Sequence, residues 1–312
     1  MKKYAYFYFD DVIWPFRDLT RKKPKSMFDQ TLLSYIKEAH DKYGFKAVLN
    51  SFYRTDYFYG DDEFCLSEMT DMYKEEWEAA SDWLKIGFHA KQEFPDYPHV
   101  NISYEDMKNQ YTRFANEVKR FAGEKTLSTT FNPHWSPVSR EGVRALSECG
   151  IKVISITAGG RKEYNGDPNS LPYGHALRLL NNRQPETMIF DRGSRDVTIN
   201  NSLCGYNHIS SEELDRIKFT TEFIYNEEFG IYYKKICNSG CGLNVTPMDE
   251  IEEILERSMG KEYVATATHE QYSYPDYFAY QPESRDKLMK MCEVYQKHGY
   301  EYIFVEDLLE NK

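Results

Sequence analysis

The stretch YAYFYFDDVIW (residues 4–14) runs an apolar, aromatic segment straight into two adjacent carboxylates, Asp10 and Asp11. Like charges side by side repel, and each costs free energy to desolvate. A divalent cation reverses that cost, because it makes a doubled carboxylate favourable. Three of the eight histidines stand at comparable places. His89 follows LKIGF (84–88), His134 lies in FNPHWS (131–136), and His269 follows the apolar run 263–268. Carboxylate and imidazole form a donor set for zinc and similar ions. Three such ligands leave a coordination position open for water and lower its pKa towards about 7. The expected cofactor is one divalent metal ion, zinc first, with cobalt, nickel, manganese and magnesium as alternatives.

These residues converge only if the elements before them run side by side. One pattern recurs three times: KYGFKAVLN (42–50), ECGIKVISI (148–156) and KHGYEYIFV (297–305) each read as a helix tail, a glycine and a short apolar strand. Glycine suits that junction because it adopts the left-handed cap conformation at little cost. Helical periodicity precedes it, with Leu32, Leu33, Ile36 and Ala39 in one case and Leu288, Met291, Cys292 and Tyr295 in another. Further strands are predicted at 4–9, 84–88, 126–131 and 263–268, with a weaker one at 187–190. Seven or eight strands alternating with helices predict an α/β fold, a distorted (β/α)7-8 TIM-like barrel, with residues 1–312 as one domain. Residues 157–209, rich in Gly, Asn and Arg, read as an elaborated loop region. In such barrels the chemistry sits at the C-terminal ends of the strands.

Bulk properties narrow the partners. The 312 residues carry a net charge of -11 at pH 7, which argues against nucleic acid. Charged residues make up 29% and hydrophobic ones 41%, an ordinary globular composition. The apolar run before Asp10 is too short for a leader core or a membrane span, so a cytoplasmic location and no membrane partner are expected. The six cysteines are scattered, and the C-x3-C pair Cys237 and Cys241 matches no common zinc spacing. They read as reduced thiols. The 26 tyrosines and 19 phenylalanines are a large aromatic load, most of it expected in the core and some of it suited to stacking against sugar rings. Oligomeric state is not legible.

The strand-end residues resemble the polysaccharide deacetylases of the NodB-homology group, within the glycoside hydrolase/deacetylase superfamily. The first motif of that family, an apolar strand ending in Asp-Asp, falls on Asp10 and Asp11. The resemblance makes Asp10 the general base and Asp11 a metal ligand. The second motif, His-Ser/Thr-x-x-His/Asp, reads His89-Ala-Lys-Gln-Glu93 here, so it implies His89 and Glu93 as ligands. The third, Arg-x-Pro-Tyr, reads FNPHWS, with Asn132 where arginine is expected. The final motif corresponds to Ala267-Thr268-His269 and implies His269 as the general acid. Asp191, Arg192, Arg195 and Asp196 stand where an Asp-x-x-Asp-Trp motif would fall.

The resemblance implies a metal-dependent hydrolase that removes acetyl groups from an N-acetylated sugar or polysaccharide. Asp10 takes a proton from water, His269 delivers one to the leaving amine, and a backbone N–H near Trp135 helps to hold the oxyanion. Trp135, Arg192 and Tyr272 are the expected substrate contacts, and Arg192 or Arg195 the expected partner of Asp10. Three residues compete for the third ligand position: Glu93, His99 and His134.

Blander readings exist for each residue. Asp10 and Asp11 could cap a turn or pair with the basic run 21–25, and His269 could simply pair with Glu270. The tyrosines 272, 274, 277 and 280 with Phe278 could be a packed lid. Two other functions compete: a metal-dependent hydrolase of another bond, glycosidase or phosphoesterase, and a carbohydrate-binding protein whose site has decayed. A glycosidase needs two carboxyls about 5–9 Å apart across the sugar, and only Glu270 offers itself as a partner.

Overall fold

The computed structural model describes residues 2–55, 63–93, 98–99, 102–135, 138–156, 222–235, 238–277 and 279–311. The predicted strand at 187–190, the whole of the predicted loop region 157–209 and with it both loop arginines, Arg192 and Arg195, lie outside these residues.

Five strands form one sheet: β1 (Lys3–Val12), β2 (Ala47–Phe52), β3 (Leu84–Ala90), β8 (Tyr263–His269) and β9 (Tyr300–Tyr302). All pairings within it are parallel. β8 runs along β1 from Tyr4 to Asp10, so β2 and β9 share its other edge. A second sheet holds β4 (Thr130–Phe131), β5 (Val153–Ile156), β6 (Ile224–Asn226) and β7 (Ile231–Lys235). Only β6 is antiparallel, in a hairpin with β7. Neither strand of that hairpin was legible in the sequence, because each is short and carries only weak alternation (IYN and IYYKK).

The two sheets meet at both edges. A parallel bridge joins Ile86 of β3 to Leu127, just before β4. At the other side the chain beyond β7 returns along β8: the N–H groups of Ser239 and Leu243 donate to the carbonyls of Ala265 (3.2 Å) and Ala267 (2.9 Å). The two sheets are thus joined by backbone pairing beside β3, and the segment after β7 lies along β8, the arrangement of a distorted (β/α) barrel. Tyr6, Tyr8, Val48, Tyr263 and Ala265 of the first sheet share one buried cluster with Val153 of the second, so the two sheets face a common interior. The intervening residues Ala5, Phe7, Phe9, Ala47 and Leu49 face outward into the larger cluster formed with the helices.

The helices cover that outer face: α1 (Trp14–Lys22), α2 (Thr31–Tyr43), α3 (Lys74–Ala80), α4 (Tyr104–Ala122), α5 (Arg140–Glu148), α6 (Ile251–Glu256) and α7 (Ser284–Lys297). The periodic residues expected to face the core, Leu32, Leu33, Ile36 and Ala39 of α2 and Leu288, Met291, Cys292 and Tyr295 of α7, are all buried. The recurring glycines behave as read: Gly44, Gly150 and Gly299 have φ of 66°, 92° and 73°. A C-terminal 3-10 segment, Val305–Asn311, closes the floor of the barrel, with Val305, Leu308 and Leu309 against the interior tyrosines. Cys65, Cys149, Cys241 and Cys292 are free thiols. Among the described residues no helix is long and apolar enough to cross a membrane.

Candidate metal centre and acid–base site

Following the inward positions up each strand leads from apolar residues to a polar layer at the C-terminal mouth. Tyr4, Tyr6 and Tyr8 give way to Asp10 on β1, Val48 to Asn50 on β2, and Ala265 and Ala267 to His269 on β8. Asp10 and His269 are direct partners in the parallel register. A regular strand would send Asp10 and Asp11 to opposite faces. The register slips between Phe9 and Val12, and Asp11 adopts φ of 61°. This bulge turns both carboxylates to the same mouth. A left-handed residue costs roughly 1–2 kcal/mol, a strain that concentrates at functional sites.

Asp11, His89 and His134 come together as a buried group whose ligand atoms all lie within 4.8 Å of one another. Asp11 Oδ1 is 3.2 Å from both His89 Nε2 and His134 Nδ1, and the two nitrogens are 3.1 Å apart. Each remaining polar atom is engaged from behind. His89 Nδ1–H donates to the carbonyl of Asn132 (2.6 Å), and His134 Nε2–H donates to the carbonyl of Glu93 (3.0 Å). Gln271 Nε2 donates to Asp11 Oδ2 (2.9 Å). These bonds select the tautomers whose lone pairs face inward, as outer partners do for metal-ligating histidines. Asp11 Oδ1 is left buried with no hydrogen-bond donor among the described residues. An unsatisfied buried carboxylate oxygen between two imidazole lone pairs fits a divalent cation, and two nitrogens with one oxygen suit zinc or a neighbouring transition metal.

The electrostatics agree. Burial pushes the Asp11 carboxyl up, but the adjacent imidazoles of His134 and His89, whenever one of them is protonated, and the charge of His269 outweigh it and hold the group well below the usual carboxylate range. Burial also works against charge on both imidazoles. For His89 the facing Asp10 and Asp11 prevail and raise it; for His134 burial prevails and lowers it. Two imidazolium cations 3.1 Å apart would repel, so the two neutral rings take up one additional proton at most.

Asp10 stands beside this group without joining it, its side chain 13% exposed. Asn50 Nδ2 (2.8 Å) and Asn132 Nδ2 (2.7 Å) both donate to its Oδ1. The expected guanidinium partner is thus matched in place by two amides, of which Asn50 carried no sequence motif. Its only signal was a polar residue inside an otherwise apolar strand, AVLNSF. His269 is partly exposed; its Nε2 lies 3.8 Å from Asp11 Oδ2 and its Nδ1 3.4 Å from Asn244 Oδ1. An imidazole so placed reaches both the metal group and the open mouth.

The remaining candidates fall around this centre. Glu93 lies behind His134, its carboxylate 3.9 Å from the nitrogen that already bonds its backbone carbonyl. His99 is fully buried and donates from Nε2 to the carbonyl of His89 (2.9 Å), so it braces the ligand strand. Burial depresses its imidazole to about 3. Trp135, with φ of 61°, packs edge-on against His134 at 5.5 Å, and Tyr272 lies edge-on to His269 at 6.3 Å. Glu270 is not an ion-pair partner of His269. Its Oε1 accepts the N–H groups of Ile13 and Trp14, both at 2.7 Å, and so caps α1. It is 0% exposed, and burial raises its carboxyl well above the usual range despite those two bonds.

The fold and this mouth define an α/β barrel with a candidate metal centre flanked by a carboxylate and an imidazole. No family model matches the sequence, and no curated protein matches it. Among solved structures, the 4-alpha-glucanotransferase from Thermococcus litoralis aligns with 100% of this chain at a TM-score of 0.54 and 10% identity; the chain spans 41% of that protein. A family 4 acetyl xylan esterase from Clostridium thermocellum, in complex with a cobalt ion, aligns with 99% of this chain and 91% of its own at a TM-score of 0.43 and 13% identity. A family 4 carbohydrate esterase from Bacillus anthracis aligns with 100% of this chain and 84% of its own at 0.38 and 12%. At such identities likeness speaks to fold alone, and a barrel hosts many chemistries. The function has to be argued from the site.

Proposed function

We propose that this chain is a metal-dependent deacetylase acting on an N-acetylated sugar or polysaccharide, with Asp10 as general base, His269 as general acid, and Asp11, His89 and His134 as metal ligands. The observation that supports it most is the division of labour between the adjacent aspartates. Asp11 Oδ1 faces two imidazole nitrogens, while Asp10 is held just outside them by two amides. Glu93 belongs to the proposal as the residue behind His134 that keeps its inner nitrogen free.

A divalent cation held by Asp11, His89 and His134 would supply Lewis acidity and a water nucleophile near neutral pH. Asp10 Oδ2, which takes part in neither amide bond, would accept a proton from the attacking water as its oxygen bonds to the acetyl carbon and the carbon–nitrogen bond then breaks. The scissile carbonyl lies between the two flanking groups, and its developing negative charge meets the backbone near Trp135. His269, protonated, delivers its proton to the departing amine. Tyr272 beside it offers an aromatic face to the sugar, and Arg192 is proposed as a further substrate contact from the loop region. The whole chain acts as one barrel domain, with a carbohydrate rather than a nucleic acid or a membrane as its partner.

A glycosidase is less well supported. Its second carboxyl would have to be Glu270, which is 0% exposed and occupied in capping α1. The test is to load the purified protein with zinc, cobalt or no metal and assay acetate release from an N-acetylated β-1,4-linked glucosamine oligomer. Acetate release that follows metal content supports the proposal. Metal bound stoichiometrically without release from any N- or O-acetylated substrate overturns it.

A further inference from the structure

Carboxylates that act as bases need an aimed lone pair, and a terminal carboxylate torsion is soft. The base of the proposed reaction is aimed by two amides, of which the sequence singled out only Asn132, as the residue standing where arginine is expected. Asn50 Nδ2 and Asn132 Nδ2 converge on the same oxygen, Asp10 Oδ1. Asn132 is itself held: Ser155 Oγ, at the end of β5, donates to its Oδ1. The direction of this chain is fixed by chemistry. Reversing the Asn132 amide would set its oxygen against the Asp10 carboxylate and its NH2 group against the Ser155 hydroxyl.

Two features show that the arrangement is retained at a cost. Asn50 is 1% exposed, and its Oδ1 has no hydrogen-bond partner among the described residues. Leaving such an acceptor buried and unmet is unfavourable, so the amide is not there to satisfy itself. Gly87 on β3 lies opposite: a Cβ there would come within 2.7 Å of that same Asn50 Oδ1. A glycine whose φ is not left-handed therefore leaves room for the Asn50 side chain. Asn132 has a second duty, because its backbone carbonyl accepts the Nδ1–H of His89. One residue holds the base with its side chain and a metal ligand with its main chain.

We infer that Ser155, Asn132 and Asn50 are positioning residues, a neutral clamp that fixes Asp10 Oδ1 and thereby aims Oδ2 at the reacting water. This rests on the proposed deacetylase reading, and it predicts a specific separation of effects. Removing the clamp costs turnover and spares metal binding, because the carbonyl of Asn132 stays in place when its side chain is cut.

The experiment uses the metal-loaded full chain and the N-acetylated β-1,4-linked glucosamine oligomer. Ser155→Ala removes one buried oxygen and should lower kcat about 10-fold, with KM and metal stoichiometry unchanged. Asn132→Ala should lower kcat by roughly 10–100-fold, again with metal retained. Ser155→Thr, which keeps the hydroxyl, should restore most of the loss. In an Asp10→Asn background Ser155→Ala should have no further effect, since its target has lost its function. Wild-type kcat in Ser155→Ala, or the same loss repeated in the Asp10→Asn background, overturns the clamp. A readout without turnover keeps this distinct from failure of the deacetylase reading: Ser155→Ala must shift the side-chain amide resonances of Asn50, which it reaches only through Asn132 and Asp10. Unmoved resonances overturn the inference even if the wild type proves inactive on every acetylated substrate.

Discussion

The mouth and the floor of this barrel each bury a carboxylate in a polar cluster, and the two are finished differently. At the floor Glu306 accepts hydrogen bonds from Ser128 Oγ (3.0 Å), Thr130 Oγ1 (2.6 Å) and the Thr129 N–H (3.3 Å), and Lys85 pairs with it at 3.3 Å. Both oxygens are satisfied. At the mouth Asp11 Oδ1 has no donor among the described residues and faces two imidazole nitrogens. A fully bonded buried network specifies structure, whereas an unsatisfied carboxylate oxygen between two imidazoles leaves room for a ligand. The contrast separates a plug from a site within one interior.

The sharpest way to break the comparison is at the mouth. Asp11→Asn and His89→Ala should each lose bound metal and reduce turnover to background, while circular dichroism stays that of the wild type. If both retain full metal stoichiometry by elemental analysis, the mouth is merely another structural network. Next in size, Asp10→Asn and His269→Ala should each cost on the order of 10²–10⁴-fold in kcat/KM with metal content intact. The His269→Ala loss should shrink on an activated aryl acetate, whose leaving group needs no proton. Metal lost from Asp10→Asn would mean that the roles of the two aspartates are reversed.

Metal titration then grades the shell. His134→Ala should weaken affinity far more than Glu93→Gln, for which roughly 10-fold or less is expected, because Glu93 acts from behind His134. Equal losses would promote Glu93 to a ligand. At the floor the expectation inverts. Glu306→Ala should lower unfolding free energy by about 2–4 kcal/mol by urea titration, since it strands Lys85 and three donors, while kcat and metal affinity of the folded protein stay unchanged. A floor variant that loses metal at full stability would dissolve the distinction.

The remaining effects are in pH. His99 stays neutral in the fold down to about pH 3, while its ordinary value is 6.5. In that window the unfolded chain binds the extra proton, so stability falls with decreasing pH, by at most about 1.4 kcal/mol per unit. At the floor, burial works against the charge of Glu306, but Lys85, Thr130 and Ser128 outweigh it and hold the carboxyl below its ordinary 4.5. Its stabilisation is complete above that value and is lost only at lower pH. Urea midpoints of His99→Gln should therefore be flatter than wild type between pH 6 and 4. Parallel curves for the two proteins would remove His99 from the account.

Much of the frame was legible in the chain itself. Local patterns determined it: period-3.6 apolar residues for α2 and α7, a glycine at each helix end with positive φ, and apolar runs for β1, β3 and β8. Each depends on residues a few positions apart, where periodicity and backbone sterics act. The strand-end rule likewise gathered Asp10, Asp11, His89, His134 and His269 before any coordinates. What the sequence could not decide was which of them meet, and through which atoms. The third member of the metal group, His134, comes from the end of β4 rather than from the segment after His89, since backbone carbonyls of Glu93 and Asn132 select the inward nitrogens. Asn50 of β2 reaches Asp10, and Ser155 of β5 reaches Asn132, only because the fold brings inward positions of different strands into one layer. Glu270 likewise found its partners at Ile13 and Trp14, some 256 residues earlier in the chain. Hydrogen bonds are set by direction and distance in space, and no spacing along a chain encodes them; that part belonged to the tertiary structure alone.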